Sequence, residues 1–177
     1  GAAQMGKALE ALAGGLSGGD PAQKPVEPVS FRELEKVLPG EVAGWERGSP
    51  TGERMTLPVT FSEASVSFSK GDGAISVKVT DTSFNGILTA PFAMFLSAGF
   101  ERETSDGYEK SIKVNEYPGW TKWNRTDKSG ELNLFVANRF WVQIEGNGLS
   151  DEKLLTQLAR ATDLRSEEHT SELQSRF

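Results

Sequence analysis

The chain carries one histidine, His169, inside the C-terminal stretch RSEEHTSELQSRF (residues 165–177), and no cysteine. Imidazole and thiolate are the groups most often recruited as base, nucleophile or zinc ligand near neutral pH. His169 lies beyond the patterned body of the chain, so Ser-His-Asp and Cys-His arrangements have no base to use. Histidine-based zinc and non-haem iron sites fail on count. There is no Gly-x-Ser-x-Gly and no P-loop, and Gly146-Asn147-Gly148 lacks the third glycine of a dinucleotide fingerprint.

Carboxylates and aromatics remain. Asp72, Asp106 and Asp127 sit in Gly- or Ser-flanked turns, where Asp is favoured for backbone reasons. None supplies the alternating oxygen ligands of a calcium loop. Glu101, Glu103 and Glu109 would support two-acid hydrolysis only by converging across a cleft. No catalytic residue, metal ligand or cofactor is therefore expected.

The aromatics are more informative. Trp120 and Trp123 have opposite parities on one strand pattern, so a regular strand sends them to opposite faces. Trp141 shares parity with Gln143 and Glu145, the polar side of its own strand. Trp120, Trp123, Arg125 and Trp141 are accordingly the candidate ligand- or partner-contacting residues, as an aromatic platform.

The elements that must position them follow from periodicity. Residues 1–29 read as an Ala/Gly/Pro-rich leader and linker, mostly disordered or a marginal helix. Met5, Leu9, Leu12 and Leu16 make a narrow stripe, but Gly14 and Gly15 each oppose helix by about 1 kcal/mol. A single domain is expected over residues 30–164. Ser30 and Glu33 have capping-box spacing ahead of Leu34 and Leu38, and Pro39-Gly40 stops that helix. A short strand is expected around Trp45 and a loop over 49–60.

Residues 61–81 alternate with period two around Gly71-Asp72-Gly73, which predicts a hairpin. Phe92, Phe95, Leu96 and Gly99 change to helical spacing, with Pro91 in the first turn. Strand patterns resume in GYEKSIKV, GWTKWNRT, ELNLFVA and FWVQIEG. A closing helix is expected behind Ser150 as cap, with Leu154, Leu155 and Leu158 buried. The fold class is α+β: a mostly antiparallel sheet of about six to seven strands built from hairpins, packed with an N-terminal, a central and a C-terminal helix.

The net charge is −6 and there is no polybasic run, so the electrostatic footprint of nucleic-acid binding is missing. No run reaches the roughly 18 apolar residues of a membrane-spanning helix.

GWERG, GYEKSIKVNEYPGWTKW and SGELNLFVANRFWVQIEG together resemble uncharacterised bacterial envelope proteins, many of them lipoproteins. The element order is similar to the PsbP-type α/β sandwich of photosystem extrinsic subunits. That resemblance implies a periplasmic or outer-envelope location, with membrane contact only through a lipid anchor upstream of Gly1. Residues 165–175, RSEEHTSELQS, resemble the translation of a sequencing adapter, so residues 165–177 are expected to be a non-native tail without a role for His169. The expected function is a non-enzymatic envelope module that binds a protein partner or envelope component. A small apolar-ligand carrier and a carboxylate-dependent hydrolase are the alternatives.

Overall fold

The computed structural model describes residues 26–90, 93, 96 and 99–164. The leader stripe, residues 165–177 and most of the expected Phe-rich helix lie outside the described residues; within that helix, Ala93 and Leu96 are helical. Helix α1 (Phe31–Val37) leads into strands β1 (Glu46–Arg47), β2 (Thr51–Met55), β3 (Phe61–Lys70) and β4 (Gly73–Asp81). Helix α2 (Gly86–Thr89) follows. Strands β5 (Glu101–Glu103), β6 (Gly107–Val114), β7 (Tyr117–Asn124), β8 (Ser129–Val136) and β9 (Phe140–Asn147) then precede helix α3 (Lys153–Ala161). The fold is α+β.

All described pairings are antiparallel, and one sheet runs β1-β3-β4-β9-β8-β7-β6-β5, with β2 also on β3. The sheet has nine strands, not six to seven. The two that the sequence pattern missed are β2, inside the supposed loop 49–60, and β5. Both lie at sheet margins, where a single neighbour supplies the ladder and no alternation is imposed. Between Arg47 and Thr51 the edge takes four steps while β3 takes three, from Phe68 to Ser65. β1 and β2 are thus two pieces of one edge, interrupted by a bulge.

Alternation splits the sheet into two faces. On one, Val66, Phe68, Val77, Val79, Val142, Ile144, Leu132 and Leu134 form the core. Helix α1 covers it over β2 and β3, and α3 covers it over β6, β8 and β9. Leu34, Val37, Leu155, Leu158 and Ala159 complete that layer. The helix ends meet where Asp163 N–H donates to Val37 C=O at 2.9 Å.

Ser30 caps α1 as expected but without the returning half of the capping box, and the cap expected at Ser150 is displaced. Ser30 Oγ accepts from Arg32 N–H at 3.3 Å, while Glu33 turns to Lys36 at 2.8 Å instead of reaching back. Ser150 stands short of α3, and Asp151 Oδ1 accepts from Lys153 N–H at 2.9 Å.

One end of the sheet is fastened by a buried ion pair. Arg139 ends the β8–β9 turn, where Ala137 and Asn138 have φ of 55° and 54°. Its Nε and Nη2 donate to Asp81 Oδ1 and Oδ2 at 2.7 and 2.8 Å. Asp81 also accepts from Val29 N–H at 2.7 Å and Ser83 N–H at 2.9 Å. Arg139 Nη2 donates to Glu27 C=O at 3.2 Å, and Ser62 Oγ donates to Val29 C=O at 2.6 Å. Residues 27–29, expected as linker, are therefore bonded to the sheet through their main chain.

Candidate functional site

The opposite face of the sheet is polar over half its extent. Strand register lines up one cross-strand row: Arg102, Glu109, Lys122, Glu131, Glu145, Ser76 and Ser67, each the Cα partner of the next. Charge alternates from Arg102 to Glu131, and then Glu131 meets Glu145. Directly opposed like charges on a sheet are destabilising, so this contact is the point where the row departs from its own pattern.

A depression of about 510 Å³ lies over this row, lined by Ser67, Ser76, Lys122, Asn124, Ser129, Glu131, Glu145 and Asn147 together with Ala74, Ile75, Gly130 and Gly146. It crosses five strands, β3, β4, β9, β8 and β7. At about 4.8 Å per strand spacing, that is a groove about 19 Å long. Lys122, Glu145, Asn147 and Ser67 are exposed, while Glu131 and Ser76 are half-buried. Burial lifts the Glu131 carboxyl above its ordinary value; Lys122 opposes this, and Glu145 and Glu109 push the same way as burial.

A second depression, about 310 Å³, lies on the same face toward the β2 edge and is lined by Thr51, Glu53, Glu63, Ser65 and Lys78. Glu53 and Glu63 are again direct cross-strand partners. Burial raises the Glu63 carboxyl; Lys78 opposes this, and Glu53 adds to it. Each depression thus holds two glutamates and one lysine.

The sequence-predicted residues do not assemble into one platform. Trp123 lies on the core face, 9% exposed, among the residues packed under α3. Trp120 and Trp141 stand on the other face, on either side of Asn133. Trp141 Nε1–H donates to Asn133 Oδ1 at 2.9 Å, and its ring stacks on Phe135 with centroids 5.9 Å apart. Asn133 and Phe135 are 3% and 2% exposed, so this face is closed beside the tryptophans and open over Glu131 and Glu145. Arg125 binds Glu103 at 2.9 Å and lies 6.0 Å from the Tyr108 ring centroid.

The carboxylates singled out from sequence also stay apart. Glu109 pairs with Arg102 at 3.0 Å and Glu103 with Arg125, while Glu101 and Glu109 lie at positions of opposite parity. The groove's acids, Glu131 and Glu145, escaped the sequence reading. They hold the polar-parity positions of ELNLFVA and FWVQIEG, and counting outward from the turn at Ala137–Arg139 pairs them. Among the described residues no group of three or more potential metal ligands occurs. Comparison with family models, curated proteins and solved structures finds no match.

Proposed function

We propose that this chain is a non-enzymatic envelope module that binds an extended polar component of the envelope across its open sheet face. The observation that carries the reading is the strand-crossing groove. It exposes hydroxyl, amide, carboxylate and ammonium groups side by side on a rigid antiparallel sheet, and such groups offer both donors and acceptors to a polar ligand laid across them. Rigid strands fix such groups better than loops do. The periplasmic location and the anchor upstream of Gly1 belong to the same proposal and rest on the resemblance.

The test is co-sedimentation with purified peptidoglycan sacculi. The wild-type chain should pellet with them. A Ser76→Arg variant, which fills the groove, should stay in the supernatant, and Arg160→Glu on α3 should behave as wild type. Equal pelleting of all three, or of none, would sink the reading.

One observation favours a second reading, hydrolysis by two carboxylates. Glu131 and Glu145 face each other, and Glu131 stays protonated to higher pH than an ordinary glutamate, as an acid–base pair requires. Release of soluble fragments from the sacculi, lost in Glu131→Gln, would replace the binding reading with this one.

A further inference from the structure

Among the described residues three large apolar side chains are exposed: Met55 at 41%, Leu57 at 80% and Ile87 at 46%. Exposed apolar residues scattered singly mean little, but these three gather at one end of the sheet. Met55 is the cross-strand partner of Phe61, and Ser62, next along β3, pairs with Asp81, where β4 ends. The lines of β2 and β4 stand two strand spacings apart, about 10 Å. From Asp81 the chain continues through Ser83 into α2, which carries Ile87. The leader joins the domain at the same place. Val26 N–H donates to Ser83 C=O at 3.1 Å, and the Glu27 carboxylate accepts from Arg54, the residue before Met55, at 2.7 Å. The chain thus arrives bonded to both stretches that carry the patch, 54–57 and 83–87.

The preceding residues, 1–25, lie outside the described residues, and their sequence holds an apolar stripe. Met5, Leu9, Leu12 and Leu16 fall at helical spacing, and Lys7 and Glu10 are the charged residues between Met5 and Leu16. A helix of this length is marginal in water and draws its stability from packing an apolar face. From Met5 to Leu16 it would be about 17 Å long, a match to a patch that starts on β2 and ends beyond β4. Residues 17–25 span up to about 30 Å when extended, enough to turn the stripe back onto the patch.

We propose that residues 5–16 dock as an amphipathic helix on Met55, Leu57 and Ile87, so that the leader closes on its own domain. This goes beyond the groove reading and stands without it. Three side chains offer far less than the roughly 800 Å² per partner of a stable interface between free molecules. A tethered segment meets them at an effective concentration in the millimolar range, so the chain's own leader is favoured over a second copy. A membrane surface suits the stripe less well, because Lys7 balanced by Glu10 makes no basic face for anionic lipid. Docking also sets the reach of the leader. Extended, residues 1–25 cover about 85 Å, whereas the docked stripe holds Met5 at the sheet end.

The full chain has no cysteine, so a nitroxide can be placed at one site. On Lys7→Cys it sits on the side of the stripe away from the leucines, and the amides of the isotope-labelled chain read its position. Signals of Thr56, Leu57, Ile87 and Leu88 should lose more than half their intensity relative to the reduced label. Those of Ser129 and Gly130, at the other end of the sheet, should be unchanged. Adding Leu9→Glu/Leu12→Glu to the labelled chain should restore the four signals. Leu57→Ser, at a position too exposed for the fold to depend on it, should restore the other three. Equal losses in these variants would show a leader that wanders without docking and would overturn the proposal. Losses passed from a nitroxide-bearing chain to an isotope-labelled chain without nitroxide would overturn it in favour of a second copy. Undiminished signals would overturn it outright, and flotation with anionic vesicles would then assign the stripe to a membrane.

Discussion

Arg139 and Asp81 meet through two parallel hydrogen bonds at 2.7 and 2.8 Å, with both side chains closed to solvent and 58 residues apart in the chain. The guanidinium also stands 5.3 Å from the Phe84 ring centroid and 5.1 Å from that of Phe140. A buried carboxylate is tolerated when paired and further hydrogen-bonded, and Asp81 receives both kinds of partner.

Breaking one side of this pair leaves the other charge stranded. Asp81→Asn or Arg139→Met should each cost about 3–5 kcal/mol, the range for splitting a buried pair. Arg139→Lys should cost nearly as much, because an ammonium cannot make the two-pronged contact. The double variant Asp81→Asn/Arg139→Met should lose well under the sum of the two single losses. Urea unfolding measures all of these, and strictly additive losses would contradict a coupled pair.

Gly119 is fixed by close approach. A Cβ there would sit 1.9 Å from the Asn133 carbonyl oxygen and 2.7 Å from a Leu134 methyl. The first neighbour is backbone of the paired strand and cannot step aside. Gly119→Ala should therefore exceed the roughly 1–3 kcal/mol of ordinary overpacking and disturb the Asn133–Trp141 bond beside it. Thermal unfolding and tryptophan emission report the two effects.

Glu131 makes stability depend on pH in an unusual direction for a carboxylate. Its folded-state value is raised, by burial first and by Glu145 and Glu109 in addition, against the pull of Lys122. The folded chain then holds this proton more tightly than the unfolded chain. The contribution is fully present below the unfolded value and is lost as pH rises through the folded one. Glu131→Gln should be more stable than wild type at pH 7, with the difference vanishing toward pH 4. A difference that grows on acidification would reverse the assignment.

Tyr108 Oη donates to Glu152 at 2.5 Å, tying β6 to the entry of α3. Burial, then Glu152, push the phenol above its ordinary value, while Arg125 opposes, so the bond persists into alkaline solution. Tyr108→Phe should cost about 1 kcal/mol. Amide exchange should quicken at Lys153–Leu155 more than along β6, and a uniform change would show that the bond does not hold the helix start.

The hairpins were legible because period-two alternation in 61–81 and 131–146 marks a sheet with one apolar face. Helix α1 was legible from Ser30, Leu34 and the Pro39-Gly40 stop. Strand β2 was not: TGERM alternates weakly, and it is a strand because β3 supplies its partners across a bulge. Arg139 reads as an ordinary turn residue, since nothing local announces a partner at Asp81. The groove was half visible. Glu131 and Glu145 sit at polar parity in sequence, but their opposition requires the register, and the tryptophans drew attention to the closed part of the same face.

The most direct measurement is amide chemical-shift mapping of the isotope-labelled chain during titration with solubilised sacculus fragments. The groove reading predicts the largest shifts at Ser67, Ser76, Lys122, Glu131, Glu145 and Asn147. Shifts confined to the α1–α3 layer, shifts centred on Trp120 and Trp141 alone, or an unchanged spectrum at saturating fragment would contradict it.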